Sequence, residues 1–205
     1  STLATRITAY SLTAERDDLY ILPATLSAPT PAERTYSARV AERISGWLKH
    51  AGIPHALTSE EAFLGSSTNA RLVVLPYNSK PTPSLLAALQ GVVERGGSLV
   101  VCFCESAELA ALMQVELGEF VASKETGRFA SMVFSEADDW HIPERVYQNS
   151  WNVWVAHPRP GKGRVIARWA NANGERQPEP AWIATPSGVW MTHVLMDDDR
   201  AGKER

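Results

Sequence analysis

The sequence is poor in cysteine and has no long apolar run, and both absences restrict what the protein can be. With two cysteines in 205 residues there is no disulfide framework, which leans toward a reducing compartment. No apolar run approaches the roughly 18 residues of a membrane span, and no signal peptide is recognisable. The chain begins at Ser1 and ends in a charged string from Asp197 to Arg205. We therefore expect a piece of a longer protein, and export with that parent stays open.

The chain also has no large excess of charge of either sign. The chain carries 20 basic and 23 acidic residues, a formal net charge of -3, and no basic stripe, so nucleic acid is not an expected partner. Hydrophobic residues make up 44% and charged residues 21%, as in ordinary globular domains. No histidine or cysteine pair has strong ligand spacing, so we predict neither a metal site nor a cofactor.

The most regular pattern runs from Arg71 to Leu117 and predicts strand, helix, strand, helix. The apolar runs Leu72 to Leu75 and Leu99 to Phe103 are typical of strands buried on both faces of a parallel sheet. Apolar residues recur at helical spacing between them, and Gly96-Gly97 ends that helix. The segment is a predicted right-handed βαβ unit.

Earlier segments continue the α/β alternation, with a predicted strand at Leu19 to Leu22 and another at Ile53 to Leu57. Thr30 and Glu33 have the spacing of a capping box, which predicts that a helix begins there, between these two strands. One face of that helix is predicted to carry Tyr36, Val40, Ile44, Trp47 and Leu48.

After Gly118 the pattern changes to short segments that alternate with period two, which predicts an antiparallel extension of the sheet. The predicted strands are Phe129 to Phe134, Ser150 to Val155, Val165 to Trp169, Ala181 to Ala184 and Val189 to Leu195.

Cys104 is the first candidate for chemistry, because it leaves the carboxyl end of a parallel strand, where α/β proteins place their sites. Cys102 lies two residues earlier and is predicted to point to the same face. The helix that Ser106 is predicted to cap would favour a thiolate at Cys104. His193, on a predicted late strand, is the best-placed base. The alternative is that Cys104 is a small buried residue and His193 a histidine bonded to backbone.

The order of elements resembles the class I glutamine amidotransferase-like, flavodoxin-like fold. Its active members carry Gly-x-Cys-x-Gly at the nucleophile elbow and His-Pro-Glu on a late strand. The resemblance matches Cys104 to the nucleophile and His193 loosely to the base. Here Cys102 and Ser106 replace the glycines, and Val194-Leu195 replaces Pro-Glu. Because the glycines permit a strained turn, the resemblance implies a vestigial site.

A second resemblance covers nearly the whole chain. The phrases RLVVLPYN, GGSLVV, ELAALM, QNSWN and GVWMTHVL are similar to the amidotransferase-like domain found ahead of family-ten-like glycosyl hydrolase barrels in bacteria. It implies an accessory domain of a carbohydrate-acting polypeptide. A (β/α)₈ barrel needs about 250 residues by itself, so no glycosidase carboxylate is assigned here.

Tryptophan and one loop supply the remaining candidates. Six of the seven tryptophans follow Gly118, and an exposed indole would bind a sugar ring; the alternative is that most fill the core. These six are Trp140, Trp151, Trp154, Trp169, Trp182 and Trp190. Tyr77, Asn78 and Lys80 follow a predicted strand and, with Glu105, are candidate ligand-binding residues. The acids Asp197 to Asp199 lack calcium-loop spacing and are predicted to form a solvated tail.

We predict a three-layer flavodoxin-like α/β sandwich with a mostly parallel sheet and an antiparallel β extension. Residues 1–205 form one domain, with an α/β core at 1–118 and the β-rich extension at 119–205. The favoured function is a non-catalytic accessory domain of a glycoside-hydrolase-like protein. The alternatives are a cysteine hydrolase or amidotransferase using Cys104 and His193, and a glycan-binding module using exposed tryptophan. Expected partners are carbohydrate, the rest of a larger polypeptide, and a second copy of the chain.

Overall fold

The computed structural model describes residues 18–66, 69–135 and 142–203. Strands and helices alternate up to residue 112. They are β1 (Leu19–Ile21), α1 (Pro31–His50), β2 (Ala56–Leu57), α2 (Glu60–Ser66), β3 (Leu72–Leu75), α3 (Pro83–Glu94), β4 (Ser98–Cys102) and α4 (Ala107–Leu112). No helix in this described part of the chain is long and apolar enough to cross a membrane.

Short strands dominate the rest of the chain. They are β5 (Val115–Ala122), β6 (Phe129–Phe134), β7 (Arg145–Ser150), β8 (Asn152–Pro158), β9 (Arg164–Ala170), β10 (Arg176–Thr185) and β11 (Gly188–Met191), followed by α5 (Arg200–Lys203). The predicted strand from Ser150 to Val155 is wrong, because a bend at Trp151 interrupts the extended chain and separates β7 from β8. The strand predicted to run to Leu195 ends at Met191, which leaves His193 beyond it.

Nine strands form one sheet in the order β2-β1-β3-β4-β11-β10-β9-β6-β7. The first five pair in parallel and the last four add to them in antiparallel fashion. The predicted mostly parallel sheet with an antiparallel extension is therefore confirmed. The parallel half has the flavodoxin-like order 2-1-3-4-5, with β11 as the fifth strand. A separate antiparallel ribbon pairs β5 with β8.

Helices cover both faces of the parallel strands, which gives three layers. On one face, Val40, Ile44 and Trp47 of α1 share a core with Ile21 and Val74. The opposite face buries apolar side chains of α2, α3, α4 and the residue that caps the end of α4 against the sheet, namely Phe63, Leu85, Leu89, Val92, Leu109 and Met113. A further core joins the β5–β8 ribbon to the antiparallel strands through Val153, Phe129 and Trp169.

The predicted capping box begins α1 as expected. The Thr30 hydroxyl accepts a hydrogen bond of 3.2 Å from the Glu33 N–H, and the Glu33 carboxylate accepts one of 3.1 Å from the Thr30 N–H. The predicted apolar face of α1 is correct for its buried members, but Tyr36 lies outside it with 40% exposure. Tyr36 lies on the same side of the helix as Val40 but one turn nearer the helix start, where it contacts Tyr77 and not the core of this face.

Candidate functional site

The parallel strands place their carboxyl ends at one edge, and the strand order reverses there between β1 and β3. Open α/β sheets bind ligands at such a switch point. The loops that follow β1, β3 and β4 are joined across this edge by backbone hydrogen bonds. The Lys80 N–H donates to the Ser27 carbonyl over 3.0 Å, and the Glu105 N–H donates to the Ser79 carbonyl over 3.3 Å.

Phe103 occupies the strained turn between β4 and α4. Its φ is +43°, in the left-handed region that side chains other than glycine seldom adopt, at a cost of roughly 1–2 kcal/mol. Its N–H still donates to the Met191 carbonyl over 3.0 Å, so β11 holds the turn in place. A nucleophile elbow presents its reactive residue from such a strained turn. The structure puts a phenyl ring there, one residue before the cysteine that the resemblance matches to the nucleophile.

Cys104 follows this turn and is fully buried. Its thiol donates to the Ser79 carbonyl over 3.5 Å and accepts from the Ser106 N–H over 3.4 Å. Burial raises the pKa of Cys104 to about 12, more than the backbone N–H groups lower it. The expected stabilisation of a thiolate is therefore wrong: Ser106 does cap α4, but this six-residue helix cannot offset the loss of water around the sulfur.

Cys102 and Cys104 do not share a face, contrary to the prediction. Strand β4 ends at Cys102, and the positive φ at Phe103 breaks the alternation between them. Cys102 contacts Met191 with its sulfur 3.6 Å from the thioether, in a different core cluster from that of Cys104. Both sulfurs are inaccessible thiols, and burial raises the pKa of Cys102 to about 12 as well.

His193 is also fully buried, and both of its ring nitrogens have partners. The Trp182 indole N–H donates to Nε2 over 3.0 Å, and because an indole only donates, the imidazole proton is on Nδ1. Nδ1 lies 3.0 Å from the Val194 carbonyl, to which it donates. Burial lowers the pKa of His193 to about 4. Within the described residues, no hydrogen bond connects this imidazole to Cys104.

Glu60 is a buried acid at this edge that sequence reasoning missed. Its carboxylate is fully enclosed and accepts four hydrogen bonds: from the N–H groups of Leu26 and Ser27, from the Ser27 hydroxyl and from the Asn78 amide. Glu60 therefore ties the loop after β1 to the loop after β3. At the start of α2, after Ser59, it has the sequence signature of an ordinary first-turn acid, so no local signal identifies this role.

The predicted ligand-binding residues of the loop after β3 take different positions. Asn78 is 1% exposed and committed to Glu60. Lys80 is exposed and forms an ion pair of 3.2 Å with Glu105, which precedes the Ser106 cap. Tyr77 is half-buried at the surface of this edge. Burial, followed by the negative charge of the Glu33 carboxylate, raises the pKa of Tyr77.

The tryptophans divide between core and surface. Trp169 and Trp190 are fully buried, and Trp182 and Trp154 are half-buried. Trp151 is 50% exposed at the break between β7 and β8. Trp140 and His141 lie outside the described residues.

An aromatic cleft of about 250 Å³ opens at this edge. The aromatic cleft is lined by Tyr36, Tyr77, Phe103, Ser150, Trp151, Asn152, Val194 and Met196. Tyr77 stacks on Phe103 with ring centroids 5.7 Å apart and meets Tyr36 edge to face at 5.3 Å. The cleft thus combines the loops after β3, β4 and β11 with helix α1 and the β7–β8 break.

The acidic string is not a solvated tail, contrary to the prediction. The Asp199 carboxylate accepts from the Tyr147 N–H over 2.7 Å, and that of Asp198 accepts from the Asn149 N–H over 2.9 Å. These bonds cover the edge of β7. The described residues contain no group of three or more histidine, cysteine or acidic side chains arranged to hold a metal ion.

Comparison with solved structures places the fold among amidotransferase-like proteins. A ThuA-like protein from Bacteroides uniformis superposes with a TM-score of 0.64 at 10% identity, over 94% of this chain and 89% of its own. A glutamine amidotransferase from Methylobacillus flagellatus gives 0.51 at 12%, over 89% and 72%. The chain has an amidotransferase-like, flavodoxin-like fold. No family model matches the sequence, and no curated protein matches it.

One neighbour is a much longer enzyme. The exo-beta-1,4-mannosidase Op5Man5 from Opitutaceae bacterium strain TAV5 superposes with a TM-score of 0.60 at 13% identity. The match covers 93% of this chain but 32% of the mannosidase. At this identity the likeness concerns the fold alone.

Proposed function

We propose that this chain is a non-catalytic, amidotransferase-like accessory domain of a carbohydrate-acting polypeptide. The observation that carries the proposal is Phe103 in the strained turn after β4. A phenyl ring supplies no nucleophile at the one backbone position that would present it to a substrate.

The neighbouring thiol does not replace the missing nucleophile. Hydrolysis by cysteine needs an accessible thiolate, a base within hydrogen-bond reach and donors for the oxyanion. Cys104 is buried with a raised pKa. Burial also lowers the pKa of His193 and keeps it neutral, and its Nε2 already accepts a hydrogen bond from Trp182. The alternative of a working cysteine hydrolase would require both side chains to leave their present partners.

The carbohydrate part of the proposal is supported by the mannosidase neighbour, in which the same fold forms about a third of a longer chain. The described residues form this sheet, its ribbon and its helices, and a (β/α)₈ barrel would need about 250 further residues. In this proposal the catalytic carboxylates belong to another part of the polypeptide. The remainder of that polypeptide, carbohydrate and a second copy of the chain are the proposed partners.

Two assays test the proposal. The purified chain is expected to show no turnover of glutamine or aryl esters, whereas the polypeptide from the complete reading frame is expected to hydrolyse an aryl glycoside. The matched variants are Cys104→Ser and Cys102→Ser, two buried thiols of which one lies at the carboxyl edge. Turnover by the chain that Cys104→Ser abolishes and Cys102→Ser preserves would establish the cysteine hydrolase instead.

A further inference from the structure

One wall of the aromatic cleft, formed by Tyr77 and Phe103, is held in place by contacts within the protein. Trp151 keeps half of its surface exposed, although its main chain is anchored by a 2.7 Å hydrogen bond from the Ser123 N–H to its carbonyl. Tyr77 is held by its stacking on Phe103 and by its edge-to-face contact with Tyr36. Rigid aromatic walls reduce the entropy lost on binding.

The polar groups at the cleft are neutral. None of its lining residues is charged. The nearby charged groups already have partners, since Lys80 pairs with Glu105, and Glu33 accepts from the main-chain N–H and the hydroxyl of Thr30. Within the described chain, the side-chain amide of Asn152 and the hydroxyl of Tyr36 form no hydrogen bond, so both are available to a ligand. Aromatic walls with a few uncharged polar groups suit a ligand that has apolar faces and a hydroxylated rim.

We propose that the aromatic cleft binds one neutral hexopyranose ring. The ring's C–H face would stack on Trp151, while Asn152 and Tyr36 hydrogen-bond its hydroxyl groups. The volume of about 250 Å³ lies below the roughly 300–1,000 Å³ of clefts for drug-sized ligands, which favours one sugar ring over an oligosaccharide. The inference rests on the proposed function in one respect, namely that the sugar is bound and not cleaved.

A cationic ammonium ligand is the competing chemistry, because aromatic cages also bind quaternary ammonium groups. Such a site gains from an unpaired carboxylate beside the rings. Glu33 and Glu105 are the acids whose charges act on Tyr77, and each already has a partner, Thr30 and Lys80 respectively. The observations therefore favour the neutral sugar, and the ammonium ligand becomes an outcome of the test.

The test is an NMR-detected titration of the whole chain with methyl mannoside, methyl galactoside and choline. We expect saturable binding of at least one glycoside and none of choline. Trp151→Ala and Asn152→Ala should each weaken the glycoside by about tenfold or abolish its binding. The matched control is Tyr147→Ala, which removes a 60% exposed aromatic side chain from β7 outside the cleft and should leave the affinity unchanged.

Failure of the site and failure of the proposed function give different results. Absence of glycoside binding, equal loss in Trp151→Ala and Tyr147→Ala, or binding of choline would each overturn the sugar site. If the chain binds the glycoside in the cleft and also hydrolyses it, the site stands and the non-catalytic function fails. Folding of each variant is checked by its urea unfolding midpoint, so that lost binding is not confused with lost structure.

Discussion

The Trp182 indole N–H and the Nε2 atom of His193 are joined by a hydrogen bond of 3.0 Å. This bond makes Nε2 an acceptor, and Nδ1 keeps the proton and donates a hydrogen bond to the Val194 carbonyl. Trp169 packs edge-on against the same ring at 4.9 Å. The histidine that most resembles a catalytic base is therefore a structural link between β10 and the segment after β11.

This link predicts a pH dependence of stability. The pKa of His193 is about 4 in the folded chain and ordinarily about 6.5, so only the unfolded chain takes up the proton between these values. The contribution of His193 to the free energy of unfolding is complete above pH 6.5. It decreases as the pH falls, by about 3 kcal/mol near pH 4. Urea unfolding from pH 7 to 4 measures it. His193→Gln should flatten the decline, whereas the exposed control His157→Gln should not; equal slopes for both variants would refute the assignment.

The buried thiols predict slow chemical labelling. Cys104 and Cys102 are both enclosed, and the raised pKa of each keeps it protonated through pH 9. A small electrophile should label them only at the rate at which the chain opens, with mass spectrometry locating the label. Rapid labelling of Cys104 with an apparent pKa below the roughly 8.5 of a free thiol would contradict its burial and support the hydrolase.

Gly188 is predicted to be intolerant of any side chain. It begins β11 at a φ of +134°, and a Cβ there would lie 1.9 Å from the Leu99 carbonyl oxygen. Gly188 and Leu99 are paired in the sheet, so neither main chain can move aside. Gly188→Ala should therefore lower the free energy of unfolding by about 3 kcal/mol or more. The matched control is Gly161→Ala, at a φ of +70° but in open space, which should cost about 1 kcal/mol. Urea midpoints compare the two, and equal losses would mean that the clash is absent.

The acids that cover β7 predict a stability effect specific to one aspartate. Asp198→Ala removes the acceptor of the Asn149 N–H and a partner of Lys203, at an expected cost of about 1–2 kcal/mol. The uncovered edge should also promote strand pairing between copies. The control is Asp197→Ala, whose carboxylate is 66% exposed and 4.0 Å from Arg43. Urea unfolding and light scattering read both effects, and indistinguishable variants would show that the edge bonds contribute nothing.

Local patterns were sufficient for the order of elements in the parallel half of the fold, although β2 begins at Ala56 and not at the predicted Ile53. Thr30 and Ser106 cap helices because their side chains reach N–H groups a few residues away. The apolar runs before Pro76 and around Val100 form β3 and β4 because strands buried on both faces need continuous apolar residues. The division of the chain into a core and an extension at Gly118 stays a prediction, and that glycine lies within β5.

The antiparallel half was harder to predict because its boundaries depend on distant partners. Strand β5 pairs with β8 rather than with the large sheet, and β7 ends one residue before Trp151. No local signal distinguishes a strand that continues from two strands that change direction at one residue. The prediction therefore recognised strand-forming sequence there but misplaced its ends.

The α/β alternation, the helix starts and the strands of the parallel core could be predicted from the sequence, because each depends on residues within one turn or one strand. The reactivity of the candidate site depends instead on packing between distant parts of the chain. Strand β11 accepts the Phe103 N–H at the turn with positive φ, a core built from several elements encloses Cys104, and the Trp182 indole donates to Nε2 of His193. Burial and partners from remote strands set the reactivity of a side chain, and neither is written in its immediate neighbours.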